Sequence, residues 1–393
     1  MDQTKGKIKL AIFSFAILMM GIMGISSGLS VIAQHFSDVS QTSIQLLITL
    51  PCIVIIVINL IVGKLQEYIS KKTLILFGIL CFLIGGVAPA FVESFPVILV
   101  FRGVLGIGVG IVQVLSSALV AEHFEGDERS KVMGQLSSAQ MIGCAIMVFA
   151  SGYLALAGWN ITFYVHLISI ISLICVAAFL PNSKPVKAAA TEGRPTGNPK
   201  LTRAAFGWAI TMLLFFIGGL VLASYMAFFV TAHNLGTAAQ AGQATMIFAI
   251  GGFLMGLVYG KLARFARNAS LAVGLFMGVI AYLLVGFAPN IIVVFVGSLI
   301  YGFSVTTVFA SIMDGTSTSV EPIAVPLAMS IVVCGQNLGS FLCPYIITPI
   351  AASMGADVNK YAFITGAILF GIMGIVALIW GIAKNMQTQA ASN

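Results

Sequence analysis

Gly63-Lys64-Leu65-Gln66-Glu67-Tyr68-Ile69-Ser70-Lys71-Lys72 separates two apolar runs, 42–63 and 73–92. Each run is long enough to cross a bilayer, which takes about 20 residues in a helix. A short basic loop between two such runs reads as one turn of a polytopic membrane protein. Working outward, ten more apolar stretches follow the same pattern, at 9–34, 96–121, 132–156, 160–181, 204–231, 239–262, 270–288, 290–315, 324–351 and 360–384. Only helices can be meant, because a membrane-spanning strand needs a polar alternation that these stretches lack.

The basic residues fix a direction. Seventeen of the nineteen Lys and Arg fall in six groups: Lys5, Lys7, Lys9; Lys64, Lys71, Lys72; Arg129, Lys131; Lys184, Lys187, Arg194, Lys200, Arg203; Lys261, Arg264, Arg267; and Lys384. Each group follows an even number of crossings. Lys and Arg are retained on the cytoplasmic side, so both termini are expected there. Lys360, in an outer loop, and Arg102, inside the fourth span, are the two exceptions.

Composition agrees. Apolar residues make up 59% of the chain and charged residues 8%, far below the share of charge in a soluble domain. The net charge of +7 follows the topology and forms no dense patch, so no nucleic-acid partner is expected. Cys52, Cys81, Cys144, Cys175, Cys334 and Cys343 all lie in apolar spans without a CxxC pair, which signals neither metal nor disulfide. No cofactor pattern, nucleophile elbow or pair of catalytic carboxylates occurs, so the chain is not read as an enzyme. The first apolar stretch is too long for a cleaved signal peptide.

The order of spans divides the chain into a bundle at 1–181, a Pro-containing cytoplasmic linker at 182–203 and a second bundle at 204–393. The bundles repeat one another. Gly63-Lys64-Leu65 returns as Gly260-Lys261-Leu262, an offset of 197. Phe101, Gly103, Leu105 and Gly108 return as Phe295, Gly297, Leu299 and Gly302, an offset of 194. Gln140 and Gly143 return as Gln336 and Gly339, an offset of 196. The expected fold is therefore all-α, twelve transmembrane helices in two pseudo-symmetric six-helix bundles related by parallel duplication.

The loop 63–72 resembles the G-x-L-x-D-r-x-G-r-K signature of the major facilitator superfamily, with Glu67 as the acid and Ser70 in place of the second glycine. Arg102, Gly106 and Gly108 are similar to that family's R-x-x-x-G-x-G pattern. Glu128-Arg129 and the Trp159–Phe163 pair are similar to two further family features. The resemblance covers essentially the whole chain and is closest in flavour to bacterial efflux proteins. Their helix-5 motif is only partly kept: Gly143 and Gly152 remain, and Val148 stands where the proline would be. The resemblance implies a bacterial-type cytoplasmic membrane, a monomer, and a cavity lined by the first, fourth, seventh and tenth spans, with the fifth and eleventh contributing.

Candidate residues follow from depth. Arg102 is read as an anion contact, as a cation that alters a nearby acid's proton affinity, or as a tie between helices. Asp314, the acid within the apolar spans, is a candidate proton carrier, a gate contact or an interfacial residue. His166 either takes part in proton coupling or is hydrogen-bonded between helices. Polar groups at midspan are candidate solute contacts: Ser26, Ser27, Gln113, Gln140, Tyr225, Tyr301, Ser304, Gln336 and Asn337. Gly63, Glu67, Lys71, Lys72, Glu128 and Arg129 are read as a cytoplasmic gate. No nucleotide-binding motif is present, so an ion or solute gradient is expected to drive secondary transport by alternating access; the sparse charge in the spans and the resemblance to drug transporters imply proton-coupled efflux of small amphipathic compounds. Uptake or exchange of an organic anion paired with Arg102 is the alternative, and a non-transporting membrane sensor is a third reading.

Overall fold

A computed structural model describes residues 2–182, 201–266, 269–321 and 324–392. Residues 183–200 of the expected linker, with the charges at Lys184, Lys187, Arg194 and Lys200, fall outside the described residues, as do Arg267 and the side chain of Lys384, while Arg203, expected in the linker, begins a helix. Among the described residues there is no strand. The chain divides into two compact units, Met1–Arg194 and Pro195–Asn393.

The first unit contains α1 (Lys5–His35), α2 (Gln41–Leu65), α3 (Lys71–Phe91), α4 (Phe95–His123), α5 (Lys131–Leu154) and α6 (Ile161–Phe179). The second contains α7 (Arg203–Ala232), α8 (Ala238–Ala266), α9 (Ser270–Gly286), α10 (Ile291–Thr318), α11 (Val325–Met354) and α12 (Val358–Ile382). Eleven are long and apolar enough to cross a membrane, and α9 is a shorter apolar helix of 17 residues. These are the twelve stretches expected from the sequence. Side-chain caps start several of them: Ser40, Ser70, Thr202 and Asn290 each accept a backbone N–H three residues on. The basic loops fall at one end of each unit, called here the basic end.

Small residues set the approach of helices within each unit. A Cβ on Gly143 of α5 would strike the Ile17 carbonyl of α1, and a Cβ on Gly339 of α11 would strike the Leu213 carbonyl of α7. Both the glycines and their partners are separated by 196 residues. The same backbone contact is thus made twice, at the repeat offset found in the sequence, as small residues allow in membrane helices.

Two helices depart from the continuous form expected. From Ile17 to Gly28, α1 is built of turns and two 3-10 segments, Gly21–Met23 and Ser26–Gly28, before a helix resumes at Leu29. Three glycines and two serines in eight residues, Gly21 to Gly28, give this stretch low helix propensity. The glycines also admit neighbours: a Cβ at Gly21 would overlap the Phe82 ring, and one at Gly28 would meet Thr162. α7 bends at Leu220, between the segments Arg203–Gly219 and Val221–Ala232. Irregular backbone at bilayer depth persists only where its polar groups find partners inside protein. Those partners define the site.

Candidate functional site

In the first unit the partner is Arg102. Its side chain has no exposed surface. Nη2 donates to the Ile22 carbonyl, in the interrupted stretch of α1, at 3.0 Å. Nε donates to the Leu47 carbonyl of α2 at 2.5 Å. Leu47 lies four residues before Pro51, which is inside α2 and has no N–H to offer that carbonyl. Nη1 lies 3.3 Å from Nε2 of His166. His166 Nδ1 donates to the Phe163 carbonyl at 2.9 Å, which leaves Nε2 as the acceptor for the guanidinium. One buried cation therefore joins α1, α2, α4 and α6. It donates to two backbone carbonyls, and at one of them, Leu47, Pro51 removes the usual helical donor.

In the second unit the partners are phenols. Tyr282 of α9 donates to the Gly218 carbonyl at 2.8 Å, and Tyr301 of α10 donates to the Gly219 carbonyl at 2.6 Å. Both tyrosines are buried, with ring centroids 4.6 Å apart. Phe370 of α12 packs against both, at 5.2 Å and 6.3 Å. Tyr225 pairs with Thr348 of α11 at 2.6 Å.

These bonds sort the midspan candidates. Tyr225, Tyr301 and Ser304, whose Oγ donates to the Gly274 carbonyl, are engaged between helices. Ser27 is engaged with Val148 and Ser151 of α5. Asn337 donates to the Val333 carbonyl of its own helix. Gln113, Gln140 and Gln336 are partly exposed, and among the described residues their amides make no hydrogen bond. Ser26 is buried with its hydroxyl unpaired, and so are Ser30 and Thr49, which the sequence reading did not single out. Their signal was available: Ser26 and Ser30 lie four apart beside the interrupted stretch, and Thr49 lies two before Pro51.

The residues expected at the gate have the following partners. Lys71 pairs with Glu122, at the end of α4, at 2.5 Å. Lys72 donates to the Ala177 carbonyl of α6. Glu128 pairs with Lys5 at 2.9 Å. Among the described residues, Glu67 and Arg129 make no side-chain bond, and Gly63 stands in open space. Gly126, with a φ of +54°, turns the chain between α4 and Glu128. Asp314 is exposed near the basic end, and its backbone carbonyl accepts from Ser317 and Thr318. At the opposite end His35 pairs with Glu93 and stacks on Trp159, while His233 pairs with Asp357.

Two six-helix units, each with its first helix interrupted at midspan and held by side chains from its neighbours, narrow the family. Residues 11–323 and 231–392 each match the Major Facilitator Superfamily. The chain belongs to that superfamily. Among its relatives, YceJ of Bacillus subtilis, an uncharacterized transporter of this superfamily, is 25% identical over 327 residues, 79% of this chain and 80% of that protein. Shorter matches join it to the multidrug transporter MdtP of Bacillus subtilis (24% identical, 30% of this chain, 22% of that one). The multidrug efflux pump SdrM of Staphylococcus aureus is 30% identical over 34% of this chain and 30% of its own length. A mutant of the nucleoside transporter NupG superposes with a TM-score of 0.78 at 12% identity, covering 96% of this chain and 99% of that one, which shows the common fold. As a member of the superfamily this is a multi-pass membrane transporter of small solutes and not an enzyme.

Proposed function

We propose that the protein exports small amphipathic compounds across a bacterial cytoplasmic membrane in exchange for protons. It does so as a monomer with both termini on the cytoplasmic side. Transport is by alternating access, and the candidate polar contacts for the solute are the Ser26 hydroxyl and the Gln113 and Gln140 amides in the first unit and the Gln336 amide in the second. Asp314, an exposed acid near the basic end, exchanges the proton there. Lys71 with Glu122, and Lys5 with Glu128, close the cytoplasmic end.

One observation carries this reading. Arg102, the cation buried at span depth, is directed to backbone carbonyls and a neutral imidazole. The polar groups left uncommitted at midspan are uncharged. Such a lining suits a neutral or amphipathic solute held by apolar walls and a few amides. An anionic solute would require Arg102 to leave the Leu47 and Ile22 carbonyls, and an unpaired buried carbonyl costs about 1–3 kcal/mol each. The orientation rests on the distribution of Lys and Arg. The drug-pump relatives, though matched over only part of their length, support the solute class.

The test uses purified protein in liposomes carrying a pH-sensitive dye, with a lipophilic fluorescent compound as solute. An imposed proton gradient is expected to drive the compound uphill while protons move the other way. Asp314→Asn is expected to stop both movements and leave solute binding intact. Uphill movement of an organic anion instead, abolished by Arg102→Gln in protein that still folds, contradicts the proposal.

A further inference from the structure

The second unit holds a cavity of about 430 Å³ between α7, α9 and α12. Gly207, Trp208, Leu271, Leu275, Val376 and Trp380 form its walls. The size is that of a small-molecule pocket, but the lining is unusual for one. Its hydroxyl, on Thr211, already donates to the Gly207 carbonyl at 2.9 Å. Apart from the indole N–H groups of Trp208 and Trp380 the lining side chains are apolar, so the slot suits a hydrocarbon occupant. The cavity opens among side chains that face outward: Ile372 is 58% exposed, Val376 63% and Ile379 63%. In a membrane such a surface meets lipid.

The basic end of the cavity has a different character. Trp208 and Trp380 meet edge to face there, with ring centroids 5.6 Å apart. Tryptophans of this kind gather at the depth of the lipid headgroups. Trp208 is also wedged from behind, since a Cβ on Gly315 of α10 would overlap its ring. Arg203 begins α7 and is exposed. It precedes Gly207 by four residues and Thr211 by eight, so it extends the stripe that lines the cavity out to the helix end. The start of α7 adds its positive dipole to the same spot. An apolar slot, a pair of interfacial tryptophans and a cation at the mouth match one partner in charge and shape.

We infer that this cavity binds an anionic phospholipid, with an acyl chain between α7, α9 and α12 and the headgroup phosphate at Arg203. On the proposed orientation, the lipid comes from the cytoplasmic leaflet. Basic residues at that surface attract anionic headgroups, and a dry apolar slot favours a chain already free of water. The inference concerns the outer wall of the second unit and stands whether or not the proposed solute is correct.

The three tryptophans supply the readout. With Trp159→Phe in place, fluorescence comes from Trp208 and Trp380 alone. The protein is reconstituted in phosphatidylcholine vesicles containing a tenth of either brominated phosphatidylglycerol or brominated phosphatidylcholine. The anionic brominated lipid is expected to quench at least about twice as strongly as the zwitterionic one at equal mole fraction. Arg203→Gln is expected to remove that excess. Gly207→Phe, at a position where an added Cβ meets nothing within 4 Å, is expected to fill the slot and reduce quenching by both lipids. Equal quenching by the two lipids, unchanged in Arg203→Gln, overturns the inference. Displacement by the lipophilic transport dye with no headgroup preference assigns the cavity to solute and overturns it as well. Because quenching needs no transport, failure here is separate from failure of the proposed function.

Discussion

In the first unit the carbonyl exposed where α1 unwinds is bound by a guanidinium; in the second, the carbonyls at the bend of α7 are bound by two phenols. The repeat offsets explain the choice. Pro51 of α2 corresponds to Phe248 of α8, at an offset of 197, and Arg102 of α4 corresponds to Val296 of α10, at 194. Where the proline is absent, so is the arginine. The first unit has carbonyls to satisfy on two helices at once, Leu47 and Ile22, and a forked cation reaches both. The second unit has two adjacent carbonyls on one helix, and neutral hydroxyls on a stacked aromatic platform suffice. A charge at bilayer depth is costly and persists only when tied down. Arg102 is therefore best understood from the backbone it completes.

The largest expected effect breaks the first unit's arrangement. Arg102→Gln leaves the Leu47 and Ile22 carbonyls buried without donors, at about 1–3 kcal/mol each. A marked fall in melting temperature in detergent is expected. Arg102→Lys should recover little, because an ammonium lacks the guanidinium fork. In the second unit, Tyr282→Phe or Tyr301→Phe removes one neutral donor, and each is expected to cost about 1–2 kcal/mol, a smaller shift in the same melting assay. If the phenol variants fall further than Arg102→Gln, the difference drawn between the units is wrong.

Smaller effects on stability separate structure from transport. Gln113→Leu, Gln140→Leu and Gln336→Leu remove amides with no hydrogen-bond partner among the described residues, so melting should stay near the parent while solute binding weakens. Loss of folding with unchanged binding would return these glutamines to a structural role. The smallest effect belongs to the basic end. Glu122→Gln unpairs Lys71 at a partly exposed site, where an ion pair contributes about 0–1 kcal/mol. Melting should hardly move, and the visible change should be in accessibility of that end to thiol labelling. Glu67→Gln should change less, since Lys71 pairs with Glu122.

Much of this fold was legible in the chain. Apolar length, the alternation of basic loops and the repeat offsets gave twelve spans in two halves, because the bilayer imposes length and side on every crossing. The Gly143 and Gly339 contacts were foreshadowed by the same offsets. Arg102 was found by depth and by the family resemblance, with its role left open between anion contact, proton coupling and helix tie. Its partner signal, a proline four residues after Leu47, was present in the sequence and needed only the rule that such a carbonyl is orphaned. The unwound stretch of α1 was hidden inside an apolar run, since hydropathy does not register a change of backbone form. The ion pairs at the basic end, Lys71 with Glu122 and Lys5 with Glu128, were not legible, because sequence spacing does not say which helix ends meet.

The most direct test is a thermodynamic cycle on Arg102 and Pro51, followed by melting of the purified protein. Pro51→Ala restores an N–H to the Leu47 carbonyl, so the loss caused by Arg102→Gln should shrink in that background, by about 0.5–3 kcal/mol of coupling. Additive losses, or a stable Arg102→Gln protein that has lost affinity for an organic anion, would contradict the assignment of Arg102 to the backbone and restore it to the solute.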